Sequence, residues 1–236
     1  MNATTDSERK TLILTGASRG IGLDIALELA KHGAKVVITG KTVEDLAIEK
    51  VFNPIGMKRT GFIWHKEFDD NFAIGHLKDG TLNPKKKRTV PVAGGSLVTS
   101  ISDYSKFIEF VMQQKGLDKK LYKEMWTPQI KIRSKTQFPT ITDETTTENE
   151  AIELSYGLGW GLLKSKYGRA FFKEGHDDAW RNYNINFVDK GVSIIIMTNS
   201  ANGETIFKEL LETIIGDTFT PWKWEGYYPY NFSEPK

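Results

Sequence analysis

Glu174–Gly203 reads EGHDDAWRNYNINFVDKGVSIIIMTNSANG, and its reading decides what kind of fold the chain builds. Tyr183–Asp189 (YNINFVD) and Gly191–Ser200 (GVSIIIMTNS) are short β-forming runs with turn residues around them. Just upstream, Tyr156–Lys164 (YGLGWGLLK) and Arg169–Gly175 (RAFFKEG) have the same character. Four such runs in succession predict an antiparallel meander. Glu204–Gly216 (ETIFKELLETIIG) then changes to helical spacing and predicts an amphipathic helix. A tail rich in Trp and Tyr, PWKWEGYYPY (Pro221–Tyr230), follows, and its aromatics are expected to cover that helix and the sheet edge.

The opposite end of the chain follows another pattern. TLILTG (Thr11–Gly16) reads as a buried parallel strand. In GIGLDIALELAKHGAK (Gly20–Lys35), Ile21, Ile25 and Leu29 are spaced by four, which predicts a helix packed on a sheet and stopped at Gly33. KVVITG (Lys35–Gly40) reads as the second strand of a βαβ unit. Between the two ends, VEDLAIEKVF (Val43–Phe52) predicts a modest helix closed by NPIG. A loop-rich region runs from Met57 to Pro91, with a weak strand in TGFIWH and a solvated basic run at Pro84–Arg88. SDYSKFIEFVMQQKG (Ser102–Gly116) predicts an amphipathic helix with Ser102 or Asp103 as N-cap, and Thr136–Glu150 an exposed polar loop.

Composition narrows the function classes. A hydrophobic fraction of 39% and a charged fraction of 26% over 236 residues describe an ordinary globular chain with a real core. A formal net charge of +2 gives no electrostatic reason to expect nucleic acid or an anionic membrane as partner. Without cysteine there is no disulfide, thiolate metal site or cysteine nucleophile. The polar start MNATTDSERK is not a secretory signal, and no apolar run approaches the ~18 residues of a membrane helix. The expectation is a soluble, cytoplasmic protein.

Gly16, Gly20 and Gly22 are spaced G-x-x-x-G-x-G between strand and helix, where bare backbone lets a pyrophosphate approach a positive helix end. TGASRGIG in that context resembles the cofactor-binding segment of short-chain dehydrogenases/reductases, over about residues 10–42. The resemblance implies cofactor contacts at Gly16, Ser18, Arg19, Gly20, Ile21, Gly22 and Lys41, with Arg19 and Lys41 favouring NADP. The same family's chemistry needs a Tyr-x-x-x-Lys pair, a serine about a dozen residues before it and an NNAG-like strand end. None is present: Tyr104 and Lys106 are only two apart and diverge on a helix. Hydride transfer is therefore not expected.

From about residue 49 to the end, the chain resembles the C-terminal half of serine β-lactamases and penicillin-binding-protein-related hydrolases of the class C-like kind. The matching stretches occur in family order: VFNPIGMKRTGF (Val51–Phe62), VAGGSLVTSISDYSKF (Val92–Phe107), YGLGWGL (Tyr156–Leu162), Glu174–Gly203 and the final helix. The resemblance implies a serine in S-x-x-K as nucleophile, a Tyr-x-Asn or S-D-N motif to move protons, and a basic third motif on a strand. In GHDDAW, His176 takes that basic position as the candidate catalytic residue. Asp177 and Asp178 depart from the small residues the family keeps there, and they work against a carboxylate substrate. The implied oxyanion donor is a backbone N–H near Asp178 or Ala179. The first two motifs belong to the half that the βαβ segment replaces. SERK (Ser7–Lys10) and SEPK (Ser233–Lys236) match S-x-x-K only by chance, in polar termini.

The predicted fold class is α/β: a Rossmann-like βαβ fragment over residues 1–45, then a partial β-lactamase-like α+β domain over 46–236, an antiparallel sheet with flanking helices. TLILTG and KVVITG either join that sheet or leave it an unpaired edge. The expected function is that of a rearranged serine hydrolase without its nucleophile, inactive or nearly so. Its substrate would be a small ester, amide or lactam; it needs no metal, and NADP is reserved for the N-terminal segment. An NAD(P)-binding dehydrogenase-like protein, and a non-catalytic binding protein or gene-fusion product, are the alternatives.

Overall fold

The computed structural model describes residues 11–14, 20–33, 35–38, 42–139 and 142–232. In chain order these form β1 (Thr11–Leu14), α1 (Gly20–Lys31), β2 (Lys35–Ile38), α2 (Val43–Ala47), a π-helical turn (Ile48–Phe52) and α3 (Asn53–Ile55). Four two-residue strands follow: β3 (Thr60–Gly61), β4 (Gly75–His76), β5 (Leu82–Asn83) and β6 (Val98–Thr99). Next come α4 (Ile101–Met112), α5 (Lys119–Met125), β7 (Ile130–Lys131), β8 (Ser155–Tyr156) and β9 (Gly161–Ser165). β10 (Gly168–Asp177), β11 (Trp180–Phe187), β12 (Val192–Thr198), α6 (Phe207–Ile215) and α7 (Trp222–Glu225) complete the set. The described residues divide into two compact units. One holds those up to Asp69 together with Lys87–Asp103, the other Asp70–Lys86 together with Tyr104 onward.

In the first unit β1 and β2 are parallel, with Thr11 opposite Lys35 and Leu14 opposite Ile38, and α1 is the crossover between them. Gly33 takes φ +81° just past the helix, and its N–H bonds the Ala30 carbonyl, so the helix stops where glycine permits. The apolar stripe of α1 is not covered as expected: Ile25 is 48% and Leu27 51% exposed. Two strands of four residues, ~13 Å long, offer too little surface for a twelve-residue helix. Among the described residues no third strand joins β1 and β2, and neither belongs to the larger sheet.

The first unit is better knit around the α2–β3 region. Thr42 caps α2 through a reciprocal box with Asp45. The buried carboxylate of Glu44 accepts from the Phe62 N–H and is 2.7 Å from His65 Nε2. Asp103, also buried, accepts from the Arg59 N–H (2.6 Å) and the Thr60 hydroxyl (3.2 Å). That commitment corrects the expected cap of α4. The helix starts at Ile101, and the Ser100 hydroxyl accepts from the Asp103 N–H (3.2 Å).

The second unit is built on a six-stranded antiparallel sheet in the order β12-β11-β10-β9-β8-β7, so every strand pairs with its sequence neighbour. Alternation gives each strand two apolar faces. Phe172, Leu163, Tyr183 and Ile185 join Phe207 and Leu211 of α6 with Trp222, Trp224 and Tyr227 of the tail. Phe171 and Leu162 face the other way and meet Ile108 and Val111 of α4, Tyr122 of α5, and Trp160. A sheet buried on both sides is why these strands read as apolar runs. The tail aromatics do more than cover an edge, since Trp224 and Tyr227 are fully part of the core.

Candidate functional site

The β10–β11 hairpin carries the candidate site at its tip. Its register sets His176 opposite Arg181 and Asp177 opposite Trp180, leaving Asp178 and Ala179 as the turn. His176 is exposed, with the edge of its ring against Phe138 at 6.1 Å between centroids. Asp178 is exposed and Ala179 fully buried. Beneath the turn lies Gly75 of β4, where a Cβ would fall 2.6 Å from that of Ala179 and 2.8 Å from the Trp180 ring. Only a bare backbone lets β4 approach so closely. The same segment is tied down by the His76 N–H to the Asn199 carbonyl and the Ala201 N–H to the His76 carbonyl, both 2.8 Å.

Charge around the tip is balanced. The Arg181 Nε is 2.8 Å from a Glu204 carboxylate oxygen, and its Nη1 donates to the carbonyls of Asp177 and Trp180. Lys85 sits over the Trp180 ring at 4.3 Å, and Lys86 reaches Asp178 at 3.8 Å. The basic run at Pro84–Arg88 thus includes two lysines that lean on this hairpin. Sequence reasoning missed that role, because the nine residues from Gly75 to Asn83 that bring the lysines in carry no strong strand signal.

The expected oxyanion donor meets an obstacle of the chain's own making. The Asp178 N–H donates to the Asp177 carboxylate at 2.8 Å, so one of the two backbone donors is already engaged. The doubled aspartate accounts for this, since the side chain before the turn folds over the turn's own amide. Asp177→Ala is expected to release that N–H and speed its exchange with solvent about fivefold, with little change in overall stability. Amide exchange resolved at Asp178 checks this, and an unchanged rate would mean the bond does not persist in solution.

Deeper in the sheet, Tyr104 from α4 accepts from Asn184 Nδ2 (3.1 Å), which also donates to the Lys173 carbonyl. Burial pushes the Tyr104 phenol up to about 12; the Asn184 bond opposes that rise and the nearby Glu174 carboxylate adds to it. Burial thus favours the neutral phenol, which the Asn184 bond ties to β11. Asn186 and Ser193 extend the chain of side-chain bonds across β11 and β12.

Of the residues assigned to a cofactor, Gly16, Ser18, Arg19 and Lys41 lie outside the described residues. Gly20, Ile21 and Gly22 form the first turn of α1 in the first unit, whereas His176 belongs to the second. Among the described residues β1 and β2 form a two-stranded parallel sheet without a further parallel neighbour. No helix among the described residues is long and apolar enough to cross a membrane.

A family profile described as Beta-lactamase matches residues 30–215. Among solved structures, an octameric penicillin-binding protein homologue from Pyrococcus abyssi aligns with a TM-score of 0.57 and 21% identity. It covers 78% of this chain and 41% of its own. A class C beta-lactamase aligns with a TM-score of 0.51 and 13% identity, over 68% of this chain and 48% of its own. Two dehydrogenases match locally. Hydroxysteroid dehydrogenase-like protein 2 of Xenopus tropicalis is 65% identical over 34 residues, which is 14% of this chain and 8% of that protein. Gluconate 5-dehydrogenase of Gluconobacter oxydans is 47% identical over 47 residues, 20% of this chain and 18% of that protein. The chain thus spans less than half the length of each solved structure, and under a fifth of either dehydrogenase.

Proposed function

The chain belongs to the beta-lactamase family, and from that premise we propose that it supplies one wall of a serine-hydrolase site without turning substrate over itself. What carries this reading is the motif content of the matched region. Between residues 30 and 215 there is no S-x-x-K, no Tyr-x-Asn and no S-D-N. His176, at the end of β10, holds the basic position of the third motif, and the Asp178 N–H beside it is bonded to Asp177. His176 is exposed at a strand end, and among the described residues no hydroxyl is hydrogen-bonded to its ring as a nucleophile paired with a base would be. The substrate class for such a wall is a small ester, amide or lactam. The domain boundary in this reading falls between residues 45 and 46.

A second reading keeps a binding role for the first forty-odd residues, favoured by the parallel β1–β2 pair with its helix and by the short dehydrogenase matches. One set of measurements separates the two. Purified protein is expected to leave a chromogenic β-lactam and a p-nitrophenyl ester at the background rate, and to show no saturable NADPH binding by calorimetry. Turnover of either substrate that is lost in His176→Ala would overturn the first reading. Saturable NADPH binding that is lost in Gly20→Val would establish the second.

A further inference from the structure

The aromatic tail conceals an acid. Glu225, the last residue of α7, is only 6% exposed, and neither carboxyl oxygen closes a hydrogen bond. Its chain neighbours Trp222, Trp224 and Tyr227 belong to the core cluster with Tyr183 and Phe207; Tyr183 stands 5.9 Å from Trp222 and Phe207 stands 5.6 Å from Tyr227. Groups from every neighbouring element bear on it. Glu174 and Lys173 come from β10, Glu204 from the turn before α6, and Tyr183 from β11. Tyr156 of β8 and Tyr227 of the tail complete the surroundings. Two of the three charges that act on Glu225 are carboxylates, Glu174 and Glu204. Glu174 is itself occupied by Gln137, Tyr156 and Lys173 through Oε1, and its Oε2 is buried without a partner. Glu204 is taken by Arg181.

Burial is the largest influence on Glu225 and raises its pKa well above the usual carboxyl range. Repulsion from Glu174 and Glu204 adds to the rise, while Lys173 opposes it. A carboxylate at this place would be an unpaired charge inside an aromatic cluster. Few polar bonds fasten the segment that carries it. The Gln137 N–H donates to the Trp224 carbonyl (2.8 Å), and the Trp224 indole N–H to the Ser134 hydroxyl (3.1 Å). Gln137 thus holds the tail with its backbone and Glu174 with its side chain.

We propose that Trp222–Tyr227 is a proton-dependent clasp, docked on the sheet while Glu225 is a neutral acid and released when Glu225 loses its proton. The sign follows from linkage. A glutamate that holds its proton more tightly when docked contributes most at pH below its undocked value. That contribution is lost as pH rises through the window from the ordinary glutamate value up to the docked one. Glu225→Gln keeps the shape and removes the charge. Across that window the docking constant of the Gln variant, relative to wild type, is expected to grow about tenfold per pH unit.

Amide exchange measured from pH 6 to pH 9, expressed as protection factors, provides the test. Protection at Trp222–Tyr227 should fall with pH in the wild-type protein, stay level in Glu225→Gln, and change little in the β10–β11 ladder of either. Equal pH profiles in the two proteins would overturn the proposal, as would a loss of protection spread evenly over the sheet. Should the Gln variant not fold, the wild-type profile decides alone: constant protection at Trp222–Tyr227 rejects the clasp.

Discussion

Phe172→Ala is expected to cost about 3–5 kcal/mol of stability in urea unfolding followed by tryptophan fluorescence. The ring has no exposure and sits at the centre of the sheet, 6.1 Å from Tyr183 and 6.5 Å from Tyr156. Directly across the β9–β10 ladder its partner is Gly161. A Cβ added there would fall 2.3 Å from the Phe172 ring, so the ring occupies the space a side chain would fill. Removing the ring opens a cavity that neighbouring strands cannot close, because their backbones are fixed by hydrogen bonds. The reverse change, Gly161→Ala, is expected to destabilise by overpacking. Combined with Phe172→Leu, it should cost at least 1 kcal/mol less than the sum of the two single changes. Strict additivity, or a Phe172→Ala loss under 1 kcal/mol, would show that the ring is not the keystone of this face.

Asp103→Ala should be the most damaging polar substitution in the first unit, at about 3 kcal/mol. Its carboxylate takes the Arg59 N–H and the Thr60 hydroxyl, and both atoms lie where the β3–β6 pair meets the start of α4. Truncation leaves these donors without that acceptor in a buried setting, and an unsatisfied buried donor costs about 1–3 kcal/mol. Asp103→Asn retains one acceptor oxygen and should lose about half as much. Thr60→Val should cost less in the Asp103→Ala background than alone, because the hydroxyl has lost this partner and keeps only its bond with the Thr99 hydroxyl (2.7 Å). Chemical denaturation of the four proteins measures all of this. A fully additive Thr60→Val effect would place the bond outside the stabilising network.

Much of the second unit was legible in the sequence because its signals are local. The β-like runs at residues 156–200 became β8 to β12, and the helical spacing of Phe207, Leu211 and Ile215 became α6. RAFFKEG became β10, whose Phe171 and Phe172 turned out to be buried on opposite faces of the sheet. Where the reading failed, the deciding partner was distant in sequence. Ser100, Ser102 and Asp103 are all good caps, and only the engagement of Asp103 with Arg59 and Thr60 makes Ser100 the cap. The stripe of α1 has ordinary helical spacing, yet nothing in it says that two short strands leave Ile25 and Leu27 in solvent. At the candidate site, His176 could be located by motif, but the capture of the Asp178 amide by Asp177 required the turn geometry. Nothing in the sequence marked Glu225, because its burial depends on how the tail folds onto the sheet.

The chain passes between its two units three times, at Asp69–Asp70, Lys86–Lys87 and Asp103–Tyr104. Neither unit is therefore an uninterrupted stretch of sequence, and no single cut releases one intact. A protease nicking Lys86–Lys87 leaves two pieces that each own residues of both units, and a nick at either of the other two junctions leaves one piece that does. The same bookkeeping applies to inheritance. A genetic exchange within residues 1–69 can replace the β1–α1–β2 segment and divides only the first unit between two parents, whereas an exchange point inside 70–86 or 87–103 divides both units at once. Asp69 therefore separates changes that touch one unit from changes that touch two.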